Sequence, residues 1–379
     1  MTEASFTDDH RARVLLMMMT EGGNERVWHA VDQRGASTLV DELLRGTISD
    51  SSLQRLTKRL PHASSDLDEM IADQMIRAKA LGARLIIPGD RQWPTQLDDL
   101  AARAPLGVWV LGNANLRLLA LRSIAIVGAR AATSYGQLLA RTTAGTLADR
   151  GWLVVSGGAF GIDVAAHRGA LGAGGTTACV LAGGVDVAYP RSHENLFSDV
   201  ARDGLLLSEA ALGAAAQRQR FLTRNRIIAA LARATIVVEA ALRSGSRTTA
   251  REAGELLRLV MAFPGPVTSV ASAGTHELIK DGQAVLVTDA DDVVHLLGEP
   301  PVLEVPDEMP VIATARSADY DHEHTEALLG VLPVRGGIGL DELASRMGAD
   351  AAQVGSMLGV LELTGRVERN NAGWRRARP

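Results

Sequence analysis

Cysteine occurs once in this chain, at Cys179, and lysine three times, at Lys58, Lys79 and Lys280. A single thiol excludes a disulfide framework and any zinc finger built on cysteines. In the apolar run Thr177–Ala182 it reads as a packed core residue. Aromatic residues make up only 3% of the chain, so stacking is limited to a few rings. Long apolar runs are missing too. Val14–Met19 is too short for a signal core or a membrane span, and Arg122 interrupts the longest candidate, around Leu116–Val127. The N-terminus carries Glu3, Asp8 and Asp9 where a signal peptide has a basic start. A soluble, cytoplasmic protein without membrane association is expected. No glycine precedes a lysine, which excludes a Walker phosphate loop. The nine histidines are scattered without metal-ligand spacing, and neither metal nor cofactor is expected.

What the chain does have is length, apolar residues and arginine. Its 379 residues, 46% of them apolar, suffice for two or three domains with their own cores. Residues 1–82 read as a helical domain. Ser37–Leu44 opens on a hydroxyl cap followed by apolar positions at helical spacing, and a second helix covers about Asp66–Leu81.

Residues 83–297 have another rhythm. Arg84–Pro88 reads as a short strand. Continuous apolar runs then recur at Ile124–Val127, Leu153–Val155, Ala178–Leu181, Leu205–Leu207, Thr235–Val238, Leu259–Phe263 and Val285–Val287. Helix-length segments lie between most of them: Tyr135–Arg150, Ile162–Leu171, Ser192–Arg202, Leu222–Ala232, Arg247–Leu257 and Thr275–Lys280. Short continuous runs suit strands covered on both faces. Their alternation with helices predicts an α/β fold with a doubly wound, mostly parallel sheet. An acidic, proline-rich stretch, 298–321, reads as a linker. The last part, 322–379, has helices at His324–Leu332, Leu340–Met347 and Ala351–Leu363, then a hairpin turning at Asn370–Gly373. Three helices and a hairpin are the winged-helix pattern.

In open α/β sheets, ligands bind outside the carboxyl ends of the strands. Four loops there carry glycine, serine or arginine: Gly128-Ala129-Arg130; Ser156-Gly157-Gly158 through Asp163; Gly183-Gly184 through Tyr189-Pro190-Arg191; and Ser244-Gly245-Ser246-Arg247. Small residues let backbone N–H groups approach an anion, so several such loops on one edge make a phosphate-binding rim. Ser156-x-Gly158-x-x-Gly161 resembles a dinucleotide fingerprint but starts on serine, and the next strand ends without the required carboxylate. Ser156, Asp163 and His167 do not form a nucleophile elbow. Asp163 and His167, four apart, are expected to pair with each other or to cap their helix.

The net charge of −5 argues at first against a nucleic-acid partner. It is unevenly spread: residues 120–260 carry +6 and residues 261–330 carry −11. Residues 215–251 hold eight arginines and a single acid, Glu239. The arginine fork suits phosphate and stacks on bases. Phe160, Tyr189 and Phe221 are the nearby rings. Arg224 and Arg226 cannot share a helix face, so one is expected at the strand ends and the other toward the exterior or a carboxylate.

These residues carry a recognisable pattern. Val127-Gly-Ala-Arg130, Ser156-Gly-Gly-Ala-Phe-Gly-Ile-Asp163 with Ala166-His167, Gly184-Val-Asp186 with Tyr189-Pro190, Ser208-Glu209, Arg224-Asn-Arg-Ile-Ile228, Ser244-Gly-Ser246 with Thr249-Ala250, and Pro264-Gly265 follow one another in the chain. In order and spacing they resemble the DNA-processing protein A (DprA/Smf) family, over about residues 85–297. The resemblance implies an extended Rossmann-like domain between a sterile-alpha-motif-like helical domain and a winged helix. It implies sequence-tolerant single-stranded DNA binding without catalysis, loading of the RecA recombinase in natural transformation and recombination, and a homodimer. It places DNA contacts at Arg130, at Arg191 where the family usually has lysine, and at Arg224, Asn225 and Arg226. With the loops above, the expected DNA-binding set is Gly128, Arg130, Ser156, Gly157, Gly158, Arg191, Arg224, Asn225, Arg226, Ser244, Gly245, Ser246 and Arg247. The usual proline before the Arg-Asn-Arg segment is Leu222 here, and Arg247 stands where leucine is common.

Two other readings compete. A Rossmann-like nucleotide hydrolase of the phosphoribohydrolase type would need a threonine and a glutamate that the loop Ala182–Tyr189 lacks. A duplex regulator would need a basic recognition helix, but Ala351–Leu363 has no lysine or arginine. The last module therefore reads as an interaction or autoinhibitory unit.

Overall fold

The computed structural model describes residues 6–57, 64–298, 328–333, 337–347, 354–355, 358, 361, 366–370 and 373–376. The chain divides into two units, one ending at residue 310 and the other starting at 311.

The first unit is built on a nine-stranded sheet in the order β1-β2-β6-β5-β4-β3-β7-β8-β9. Its strands are β1 (Arg84–Ile86), β2 (Val108–Leu111), β3 (Ser123–Val127), β4 (Leu153–Gly157), β5 (Thr177–Val180), β6 (Leu205–Ser208), β7 (Ala234–Val237), β8 (Leu259–Ala262) and β9 (Val285–Leu286). From β6 to β9 all neighbours are parallel, while β1–β2 and β2–β6 are antiparallel. Strand β2 is absent from the sequence reading. Its run Val108–Leu111 lies outside the strand–helix alternation because it joins the sheet antiparallel, next to β6 rather than to its sequence neighbour β3.

Alternation along the strands feeds two cores. Ala125, Val127, Val155 and Val180 face Ile227 and Leu231 on one side, whereas Ile124, Ile126 and Val154 face Ala144, Leu147 and Ala166 on the other. Besides α6 (Leu116–Ala120) and α9 (Glu194–Asp203), the helices that cover the sheet include α7 (Ser134–Asp149) and α8 (Ile162–Gly172) on one face and α10 (Arg218–Leu231) on the other. Helix α10 starts one turn before the expected Leu222, which puts Arg218 and Arg220 in its first turn. Burial on both faces is what lets short, purely apolar strands persist.

The N-terminal helices are α1 (Asp8–Met19), α2 (Glu25–Arg34), α3 (Ala36–Arg45), α4 (Ser51–Thr57) and α5 (Ser64–Leu81). Thr7 and Asn24 cap the first two by accepting from His10 N and Val27 N. Leu15, Leu16, Leu39, Leu43 and Ile71 form their own core. The opposite side of α1 presents Val14 and Met17 to Leu85, Trp109 and Leu206 of the sheet. Among the described residues, no helix is long and apolar enough to cross a membrane.

In the second unit, Leu328, Ile338, Leu343, Val354, Leu358 and Val367 form a separate core. The helix Leu340–Met347 has the expected bounds, and Val367–Asn370 pairs antiparallel with Gly373–Arg376. Most of the expected linker, the start of the helix at His324 and most of Ala351–Leu363 lie outside the described residues. The α/β fold with a C-terminal winged helix stands as the architecture.

Candidate nucleic-acid interface

The chain runs outward through β4, β5 and β6 on one side of β3, then crosses back through α10 to β7 on the other. The switch point is thus the β3–β7 pair, where Gly128-Ala129-Arg130 follows β3. Gly128 lets α8 approach: a Cβ there would sit 2.5 Å from the Ile162 side chain. The loop is pinned at its far end by Glu239, whose carboxylate accepts from Thr133 N at 2.9 Å and from Thr133 Oγ1 at 2.5 Å. Thr133 in turn caps α7. The lone acid of the arginine-rich segment therefore holds the Arg130 loop, a role that sequence gave no sign of because the partner is 106 residues away.

Behind the strand ends lies a buried polar centre. Ser156 is fully buried and donates to the Ile126 carbonyl at 2.6 Å. Arg224, 4% exposed, donates from Nη1 to the Val180 carbonyl and lies near Asp163. Gly157 is wedged against both, since a Cβ would fall 2.2 Å from Arg224 Nη1 and 2.6 Å from Asp163 Oδ2. Burial pushes the Asp163 carboxyl up from its usual range, opposed by the attraction of Arg224. Burial likewise lowers the Arg224 guanidinium and raises the Cys179 thiol. The expected Asp163–His167 pair is not formed. Asp163 accepts from Ala159 N at 3.2 Å, while His167 bonds Thr177 Oγ1 at 2.7 Å and the Gly157 carbonyl at 2.9 Å. Those strand partners face the buried ring, and burial drops its pKa to about 4.

The two arginines of the Arg-Asn-Arg segment divide as the helix geometry requires. Arg224 goes to the strand ends. Arg226, 2% exposed, takes the carboxylate: Nη1 and Nη2 donate to Glu209 at 2.6 Å each, and Nε donates to the Arg103 carbonyl. Neither is on the surface. Asn225 donates to the Gly245 carbonyl at 3.2 Å and so joins α10 to α11 (Gly245–Glu255). Ser244 caps α11 and bonds Ser246, which is buried, whereas Gly245 is exposed. Arg247 donates to the Leu242 carbonyl and pairs with Glu277 at 2.7 Å. Gly158 is buried against Leu181 and Phe197.

The arginine surplus is therefore smaller in space than along the chain. Arg220 pairs with Glu21, Arg226 with Glu209, Arg247 with Glu277 and Arg251 with Glu255. Arg233 lies over the Trp152 ring. Arg218 and Arg243 have no carboxylate at ion-pair distance among the described residues.

What remains open is a short rim. Arg130 is exposed, with its guanidinium carbon 4.7 Å from the centroid of Phe221. Tyr189, 52% exposed, stands 5.7 Å from Phe221, ring to ring. Arg191 is exposed two residues further on, beyond the cis Tyr189–Pro190 bond. Phe160, 49% exposed, meets His193 edge to face at 4.5 Å. His193 escaped the sequence reading. Its place two residues after Arg191 was the only signal. Two arginines and three rings on one edge match the chemistry of a nucleic-acid strand: charge for phosphate, rings for bases.

Comparisons with known proteins agree on one relationship. The family model described as DNA recombination-mediator protein A matches residues 84–298, and the one described as DprA winged helix domain matches residues 313–373. A Mycobacterium tuberculosis protein named for DNA processing, DprA, is 42% identical over 353 residues, covering 90% of this chain and 87% of its own. Protein Smf of Escherichia coli is 41% identical over 215 residues, 56% of either chain. The solved structure of DprA from Streptococcus pneumoniae superposes with a TM-score of 0.64 at 29% identity, over 78% of this chain and 99% of that one. A structure of Helicobacter pylori DprA, described as revealing that protein's mode of binding single-stranded DNA, gives a TM-score of 0.51 at 30% identity, over 57% of this chain and 95% of that one.

Proposed function

The chain belongs to the DNA-processing protein A (DprA/Smf) family, and from that premise we propose that it binds single-stranded DNA along the rim at the strand ends. The observation that carries the reading is the exposed Arg130 over the Phe221 ring, with Tyr189 against the same ring and Arg191 exposed two residues after Tyr189. Phosphates sit on Arg130, Arg191 and the backbone around Gly128, and bases lie against Phe160, Tyr189 and Phe221. Ser156, Gly157, Gly158, Arg224 and Arg226 shape the rim from behind. Asn225, Ser244, Ser246 and Arg247 brace the α10–α11 junction, with Gly245 exposed there. Contacts of this kind tolerate any sequence and weaken steeply with salt.

The role of the bound protein is to hold exposed or incoming strands and to help load the RecA recombinase, as a homodimer in the cytoplasm and without catalysing a reaction. The helical domain (1–82), the sheet domain (83–297), the linker (298–321) and the winged-helix module (322–379) divide this work, the last as an interaction or autoinhibitory module. A gel-shift comparison of single-stranded and duplex DNA, with and without RecA, tests the reading. Single strands are expected to bind more tightly and RecA filaments to form faster. Preference for a duplex overturns it, and ribose release from AMP by the purified protein selects the nucleotide hydrolase instead.

A further inference from the structure

The α1–α2 loop, residues 20–24, reaches over the strand ends. Glu21 in this loop accepts from Arg220 Nε at 2.6 Å and from Arg220 Nη2 at 2.9 Å. Its neighbour Gly22 sits so close to Glu209 that a Cβ would lie 2.1 Å from that carboxylate. Between loop and sheet is a cleft at the ends of β5 and β6, with Leu181, Ser208, Glu209, Arg220 and Arg224 on one wall and Glu21 and Gly22 on the other, the Glu209 carboxylate being held by Arg226. Two cationic side chains line this one cleft. Arg224 is 4% exposed, and its Nε has no hydrogen-bond partner among the described residues. Arg220 directly precedes Phe221, the ring beneath Arg130, in the first turn of α10.

A carboxylate lying side-on to a guanidinium fork occupies the position a phosphate takes. The Glu21–Arg220 pair is accessible, with side chains 40% and 22% exposed, and accessible pairs are weak. Resting on the reading above, we propose that this cleft is a second phosphate subsite for single-stranded DNA, filled by Glu21 in the free chain and taken by the strand when Glu21 is displaced.

The full-length wild type, Glu21→Gln, Glu25→Gln and Glu21→Gln/Arg220→Ala are titrated with oligo-dT over a salt series. Glu25 is an exposed acid nearby, on α2, that does not line the cleft. Glu21→Gln is expected to bind about threefold to fivefold more tightly at low salt, the weight of one accessible ion pair. Its salt slope steepens by about 0.7, because Arg220 then holds a counterion that the strand releases. Glu25→Gln gives neither change, and the gain vanishes in the double variant. Unchanged affinity in Glu21→Gln, an equal gain in Glu25→Gln, or a gain that survives without Arg220 overturns the subsite. If the double variant fails to fold, the affinity and salt slope of Glu21→Gln decide. A wild type that does not bind oligo-dT refutes the rim itself. A wild type that binds, beside a Glu21→Gln without gain, refutes only the subsite.

Discussion

The guanidinium carbon of Arg130 lies over the ring of Phe221, 4.7 Å from its centroid, joining the loop after β3 to the first turn of α10. A cation fixed on a ring is pre-oriented for a phosphate and keeps its charge in water. Arg130→Ala should therefore weaken oligo-dT binding about tenfold at low salt and flatten the salt slope by about 0.7. Arg130→Lys should keep the slope and lose part of the affinity, since lysine stacks poorly. Fluorescence anisotropy at several salt concentrations checks both. An Arg130→Ala variant with wild-type slope would remove Arg130 from the contact.

Arg226 has the opposite character. Its buried pair with Glu209, with side chains 3% and 13% exposed, supports α10 from within. Arg226→Ala leaves a buried carboxylate without its partner and should cost about 3–5 kcal/mol of stability. Arg191→Ala, at an exposed position, should stay within about 0.5 kcal/mol of wild type while weakening DNA binding. Urea denaturation of the two variants separates a supporting arginine from a contacting one.

Gly157 tests how tightly the buried centre is packed. A methyl there would overlap the Arg224 guanidinium and the Asp163 carboxylate, and Gly157→Ala should cost about 3 kcal/mol. Gly245→Ala is the control: among the described residues, nothing lies within 4 Å of a Cβ at that position. Equal denaturation midpoints for the two variants would contradict this picture of the centre.

Acid should destabilise the fold through His167. Its ordinary pKa is 6.5, and burial holds it at about 4 in the folded chain. Above 6.5 the ring is neutral in both states and its full contribution is present. Below that the unfolded chain gains a proton that the folded chain refuses, so stability falls as pH drops toward 4. Between about pH 7.5 and pH 5 the loss from this group is about 2 kcal/mol. Asp163 acts in the opposite sense, because its raised pKa lets the folded chain keep a proton longer. The informative quantity is thus the difference between wild type and His167→Gln. The variant should lose about 2 kcal/mol less over that range in urea denaturation. Identical losses would show that His167 is not held neutral.

The sequence by itself determined the α/β class, because short apolar runs between helix-length segments leave little else to build. It also singled out the loops after β3, β4 and β5 as the expected ligand edge, since glycines and arginines follow those strands. That Arg224 and Arg226 point to different sides followed from helix geometry; which of them meets the strand ends, and that the other meets a carboxylate rather than the exterior, did not. Tertiary structure decided the rest. Of the eight arginines between 215 and 251, the fold supplies carboxylates to Arg220, Arg226 and Arg247 from positions 21, 209 and 277, outside that segment. Charge counted along a chain cannot see partners that folding brings from elsewhere. Ser156, Arg224 and Arg226 have the composition of a binding loop but sit within its supports. Exposure, which only packing sets, separates Arg130 and Arg191 from those buried supports, and the proposed strand contact rests on that difference.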